Sequence, residues 1–194
     1  MRGPVRRSAR TLVDMPRTLR IQAAGGLFHV TCRGNRRQAI FRDSRDYRHF
    51  LSVLSDVVTR CGWRCHAYCL MPNHVHLLIE TPVANLSEGM QRLNSRHAIY
   101  FNRRYGHTGH LFQGRFHSEL VHSDSHFLAA IRYILMNPVR ASLCRRPGDW
   151  AWSSHRATAG DEAKPSFLSV RFVLSLFAGP LPPRAAFVAY IDDS

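Results

Sequence analysis

Met71-Pro72-Asn73-His74-Val75-His76-Leu77-Leu78-Ile79-Glu80 sets two imidazoles at alternate positions of an apolar run. On a β-strand, side chains two apart share a face, so His74 and His76 point one way, with Glu80, while Val75, Leu77 and Ile79 point the other. The spacing predicts a strand from His74 to Glu80 with one buried face and one face able to hold a metal ion. Pro72-Asn73 reads as a tight turn, and Trp63 to Met71 as the strand that pairs with this one in an antiparallel hairpin.

Upstream, Leu27-Phe28-His29-Val30-Thr31 reads as a first strand, closed by the basic, turn-prone Arg33-Gly34-Asn35-Arg36-Arg37. Tyr47, Phe50, Leu51, Leu54, Val57, Val58 and Cys61 fall on one helical face, with Asp43 or Ser44 as the cap and Gly62 as the stop. After the hairpin, Asn85 with Glu88 reads as a capping box. Leu86, Met90, Leu93, His97, Tyr100 and Phe101 then stripe a second helix, which Arg103, Arg104 and Gly106 end. A Gly- and His-rich loop leads to a fourth strand near Arg115 to His122 and a third helix capped by Ser123 or Asp124.

This order predicts an α+β fold: a ferredoxin-like βαββαβ antiparallel sheet with an added C-terminal helix. Past Asn137-Pro138 the periodicity fades. Trp150 and Trp152 are expected to pack on the domain, the segment around Phe172 to Phe177 to be a short appended helix, and the proline-rich end a loose tail. The expected division is a basic extension over 1–14, a main domain over 15–160, and an appended helix and tail over 161–194.

The 194 residues are 45% hydrophobic, enough for one ordinary core without staples. With 27 Lys+Arg against 13 Asp+Glu, a formal net charge of +14 points to a polyanionic partner, nucleic acid first. Candidate contacts are Arg33, Asn35, Arg36 and Arg37 in the first turn, and Gln113 and Arg115 beside Phe112 and Phe116. Those two phenylalanines either clamp a strand or pack into the core. His107, His110, His117 and His122 are read as surface or DNA-facing residues.

No apolar run approaches the roughly 20 residues that span a bilayer, and the basic start lacks the apolar segment of a secretory signal. A cytoplasmic, nucleoid-associated protein is expected. The five cysteines are an odd number without framework spacing, which suits a reducing compartment. Cys61, Cys65 and Cys69 cross from a helix end into a strand and read as buried thiols rather than a zinc site.

In the third helix, Phe127, Leu128, Ile131, Ile134 and Leu135 make one apolar stripe. At about 100° per residue, Tyr133 lies roughly 200° from the middle of that stripe, away from the core. Asn137 is one turn below it, and Ala129 and Ala130 leave room around the phenol. A tyrosine so placed, with two one-faced histidines elsewhere, suits metal-assisted attack on a phosphodiester. His74, His76 and the Asn137 amide oxygen are the candidate ligands, with positions left open for substrate. Ligand softness does not choose among Mg²⁺, Mn²⁺ and Zn²⁺. Pro138 is expected to bias Asn137 away from helical geometry.

His74-Val75-His76 followed by Tyr133 and Asn137 resembles the single-tyrosine HUH endonucleases, in particular the REP-associated tyrosine transposases. Supporting segments, in order, are Arg33-Gly34-Asn35-Arg36, Ala67 to His74, Gly109 to Phe116, Tyr133 to Arg140, and Asp149 to Ser154. The resemblance covers about Pro16 to Arg156. It implies cleavage and rejoining of single-stranded DNA at hairpin-forming palindromic repeats, with Tyr133 as the nucleophile and a 5′-phosphotyrosine intermediate. It also implies a divalent cofactor, Mg²⁺ or Mn²⁺, and single-stranded or hairpin DNA as partner, with monomer and homodimer both open. The family's usual start resembles Met15-Pro16-Arg17, so Met1 to Asp14 is expected to be either a basic extension or the product of a misplaced start codon.

Two other readings stand beside this one. A domesticated, non-mobile DNA-binding protein would keep the fold without moving DNA, although it need not retain His74, His76, Tyr133 and Asn137 together. A metal-dependent hydrolase would use water in place of tyrosine, and Glu80 is the acidic residue that shares the histidines' face.

Overall fold

The computed structural model describes residues 23–193, so the expected 1–14 extension lies outside the described residues. The chain runs β1 (Gly26–Arg33), α1 (Ser44–Cys61), β2 (Arg64–Met71), β3 (His74–Thr81), α2 (Leu86–Tyr105), β4 (His117–Leu120) and α3 (Asp124–Arg140). The four strands form one antiparallel sheet in the order β2-β3-β1-β4, the ferredoxin-like arrangement. Strand order was the part of the topology that residue spacing left open.

Alternation along the strands divides the core in two. Phe28, Val30 and Cys32 of β1 and Val75, Leu77 and Ile79 of β3 point to one side, where α1 and α2 cover them. On the other side Ala67, Cys69, Met71 and Leu78 meet Phe127, Ile131, Ile134 and Leu135 of α3. α3 packs chiefly on β2 and β3. The imidazoles of β3 share its face of the sheet, beside the part that β1 and β4 supply.

Helix ends follow local chemistry with one exception. Asp43 caps α1 in a reciprocal box with Asp46, and Gly62 closes it in the left-handed region. Asp46 is fully buried and ties α1 to α2, pairing with Arg104 and accepting from the Tyr105 hydroxyl at 2.9 Å. The exception is the expected capping box at Asn85, which does not form. The Asn85 side chain accepts from Trp63 Nε1 at 2.7 Å and donates to the Cys61 carbonyl at 3.0 Å. A buried indole N–H needs a partner, and Asn85 serves that need in place of its own helix.

α3 does not break at Pro138. It continues to Arg140, and Asn137 keeps its helical place, with its Nδ2 donating to the Tyr133 carbonyl at 2.7 Å. Pro138 is itself buried, so packing outweighs the local bias.

The C-terminal part departs from expectation as well. After α4 (His155–Ala159), the appended helix is the short α5 (Arg171–Ser175), and the expected loose tail is α6 (Pro183–Asp192). Pro183 stands in the first helical turn, where its missing N–H has no intrahelical partner to lose. Phe187 and Ile191 are fully buried in the α3 cluster. Trp150 and Trp152 pack as expected, Trp150 Nε1 donating to the Leu70 carbonyl at 3.1 Å and Trp152 stacking on Tyr47 at 4.4 Å. No helix among the described residues is long and apolar enough to cross a membrane.

Candidate active site

β3 delivers His74 and His76, and α3 brings Tyr133 to the same place. The Tyr133 ring stands edge-on to His76 with centroids 5.5 Å apart, and His76 lies 5.0 Å from His74. Tyr133 is 43% exposed, as its position off the apolar stripe requires. The Arg140 guanidinium covers its ring at 5.2 Å from the centroid. Below the phenol opens a cavity of about 620 Å³, lined from β1, β3, β4 and α3 and including Ala129 and Ala130.

Burial governs the imidazoles. It holds His76 down at about 3, with His29, His74 and Arg33 pushing the same way. Burial also takes His74 to about 4, helped by Arg33 and opposed by a side-chain hydrogen bond with Asn137. Both rings are therefore neutral at neutral pH, the form that ligates metal ions. His74 Nδ1 lies 2.6 Å from Asn73 Oδ1. His76 Nδ1 is 3.0 Å from His29 Nε2 and 3.3 Å from Thr31 Oγ1, while His76 Nε2 is buried with no hydrogen-bond partner among the described residues.

A bare, buried imidazole nitrogen beside a second neutral imidazole and an amide fits a divalent ion. Among the described residues no three His, Cys, Asp or Glu side chains group as a ligand set. The candidate donors at this place are the His74 and His76 imidazoles and the Asn137 amide, which pairs with His74. His74 and Asn137 pair with each other just outside the cavity that His76 and Tyr133 line. Glu80 is engaged elsewhere, bonded to Arg64 and to His66 Nε2 at 3.1 Å.

Five of the six candidate DNA contacts divide between two hollows, and Arg37 lines neither. Arg33, Gln113 and Arg115 line the cavity under Tyr133. Asn35 and Arg36 line a second hollow of about 490 Å³ with Arg42, Asn102 and His107. Arg36 and Arg37 both sit at positive φ, 52° and 59°, an uncommon conformation for a long side chain. The Arg37 carbonyl accepts from Asn73 Nδ2 at 3.0 Å, which fastens the turn to the β2–β3 hairpin. Phe112 and Phe116 are buried in the core and leave their polar neighbours at the rim.

Four residues at the cavity were not singled out by spacing for this place: His29, His117, Glu119 and His126. His29 and Thr31 alternate with Phe28 and Val30, so their sharing of a face is visible in the sequence. Which neighbours they face depends on register. The ladders set Thr31 opposite His76 and His29 opposite Glu119, and neither pairing has a sequence signal.

Comparison with known proteins bears on the family and the fold. The family model described as "Transposase IS200 like" matches residues 24–137, from the approach to β1 through Asn137. A Haemophilus influenzae protein named as a REP-associated tyrosine transposase is 28% identical over 125 residues, 57% of this chain and 70% of the relative. The solved structure of a REP-associated tyrosine transposase bound to a REP hairpin aligns with a TM-score of 0.65 at 19% identity. That alignment covers 80% of this chain and 92% of the other.

Proposed function

The chain belongs to the IS200-like transposase family, and from that premise we propose that it cuts and rejoins single-stranded DNA at hairpin-forming repeats through Tyr133. The observation that carries the reading is the half-exposed Tyr133 phenol standing against His76 over a basic cavity. The hairpin bound to the solved relative supports the substrate class.

The chemistry exchanges one phosphodiester for another. Tyr133 gives up its phenolic proton and its oxygen attacks phosphorus. A new P–O bond forms, the bond to the 3′ oxygen breaks, and that oxygen takes up a proton to leave a free 3′-hydroxyl. The product is a 5′-phosphotyrosine, which the hydroxyl of another DNA end can attack in reverse. Arg33 and Arg115 neutralise phosphates and Gln113 offers an amide at the rim. Arg140, stacked on the phenol, keeps the ring from turning away and carries positive charge toward the developing phenolate. His74, His76 and Asn137 would hold a divalent cation, Mg²⁺ or Mn²⁺, which when bound polarises the phosphoryl oxygen.

The test mixes purified protein with a labelled hairpin oligonucleotide and either metal. A denaturant-resistant protein–DNA species is expected from the wild type and none from Tyr133→Phe, with hairpin binding retained by gel shift. An adduct that persists in Tyr133→Phe, or cleavage that yields only free 5′-phosphate, contradicts the proposal.

A further inference from the structure

Resting on the metal reading above, we infer that His29 is a positioning residue that sets the His76 ring and its tautomer, with Glu119 behind it. His29 Nε2 lies 3.0 Å from His76 Nδ1, and the two rings stack at 5.2 Å. The His29 ring also meets Tyr133 edge-on at 5.7 Å, so one side chain touches both the ligand and the nucleophile.

The proton inventory decides the direction of the bond. For His76 Nε2 to present a lone pair, the ring's one proton must sit on Nδ1, and it then donates to His29 Nε2. His29 must in turn carry its own proton on Nδ1. Glu119 is His29's directly opposed partner on β4, lines the same cavity, and lies 3.6 Å from His126 Nε2. His117 and His126 line the same cavity as His29. The result is an imidazole–imidazole pair ending at the bare Nε2, with Glu119 across the ladder from His29. Such outer partners fix ring orientation and raise ligand basicity. Thr31 Oγ1, 3.3 Å from the same Nδ1, is a secondary acceptor.

The test reads the ligand and not turnover. Mn²⁺ uptake by full-length protein is titrated by the loss of the free-ion paramagnetic resonance signal, and imidazole tautomers are read in ¹⁵N-edited spectra of the metal-free protein. His29→Ala is expected to weaken uptake about 10- to 100-fold, the range for outer-partner loss, and to mix the His76 tautomers. His29→Gln, whose side-chain oxygen can accept from His76 Nδ1, is expected to restore both. Glu119→Gln, at an exposed position, is expected to weaken uptake severalfold and serves if His29→Ala does not fold.

Uptake by the wild type that His76→Ala abolishes but His29→Ala and Glu119→Gln leave unchanged, with the Nδ1–H tautomer intact, overturns the inference and spares the metal reading. No uptake by the wild type overturns that reading, and the inference with it.

Discussion

Six tyrosines are available to this chain, and their surroundings separate one from the rest. Tyr47 is buried between Phe41 and Trp152, and burial pushes its hydroxyl up to about 12. Tyr68 is buried and also raised. Tyr105 donates to Asp46, Tyr100 stacks on His49, and Tyr190 lies against Phe177 and under Arg132. Tyr133 alone of the six meets the His29 and His76 rings. A different histidine gives a stability test. His97 is fully buried and donates through Nε2 to the Ile40 carbonyl at 2.9 Å, and burial holds it down at about 4. Below its ordinary value of 6.5 the unfolded chain takes up a proton that the folded chain refuses, so stability falls as pH drops from 6.5 toward 4 and is unaffected above. His97 alone accounts for roughly 3 kcal/mol over that window. Urea unfolding at pH 7 and 4.5 should show a smaller loss in His97→Gln than in the wild type, and equal losses would refute the assignment.

At the scale of elements, the N-terminus of α2 is set by an indole. A Cβ on Gly89 would come within 2.2 Å of the Trp63 ring, which Asn85 pins by its N–H. Alanine is the better helix former by about 1 kcal/mol, yet overpacking costs about 1–3 kcal/mol. Gly89→Ala is therefore expected to lower the denaturation midpoint; a rise would mean that the ring moves freely. The same corner shows where residue spacing stops being informative. Asn85 and Glu88 satisfy a capping pattern, but a donor 22 residues away competes for Asn85, and such competition is a property of the folded neighbourhood. Pro138 is the second case, since its local bias toward a helix end yields to burial. Where one element's own periodicity decides, as in α1 with its Asp43 cap and Gly62 stop, spacing and structure agree closely. Tyr133 belongs to that class, because its departure from the apolar stripe is set by α3 alone.

For the whole molecule, the order β2-β3-β1-β4 puts β1 between the histidine strand and β4, so a polar β1 face becomes part of the site. The pair His74 and His76, Tyr133 and Asn137 were readable from spacing and from the resemblance; His29 and Glu119 were not, because they need strand order and register. Under the proposed function, the net charge of +14 predicts that hairpin binding weakens with salt. Replacing both Arg33 and Arg115 by alanine should flatten the log–log salt dependence by about 1–2 units, measured by fluorescence anisotropy, and an unchanged slope would remove both from the phosphate path. The central claim concerns one oxygen atom, and peptide mapping of the covalent species reads it directly. After trypsin and nuclease treatment, mass spectrometry should find the nucleotide remnant on the peptide running from Tyr133 to Arg140, attached to Tyr133. A remnant on any other tyrosine, or DNA cleaved with no attached remnant at all, would contradict the account.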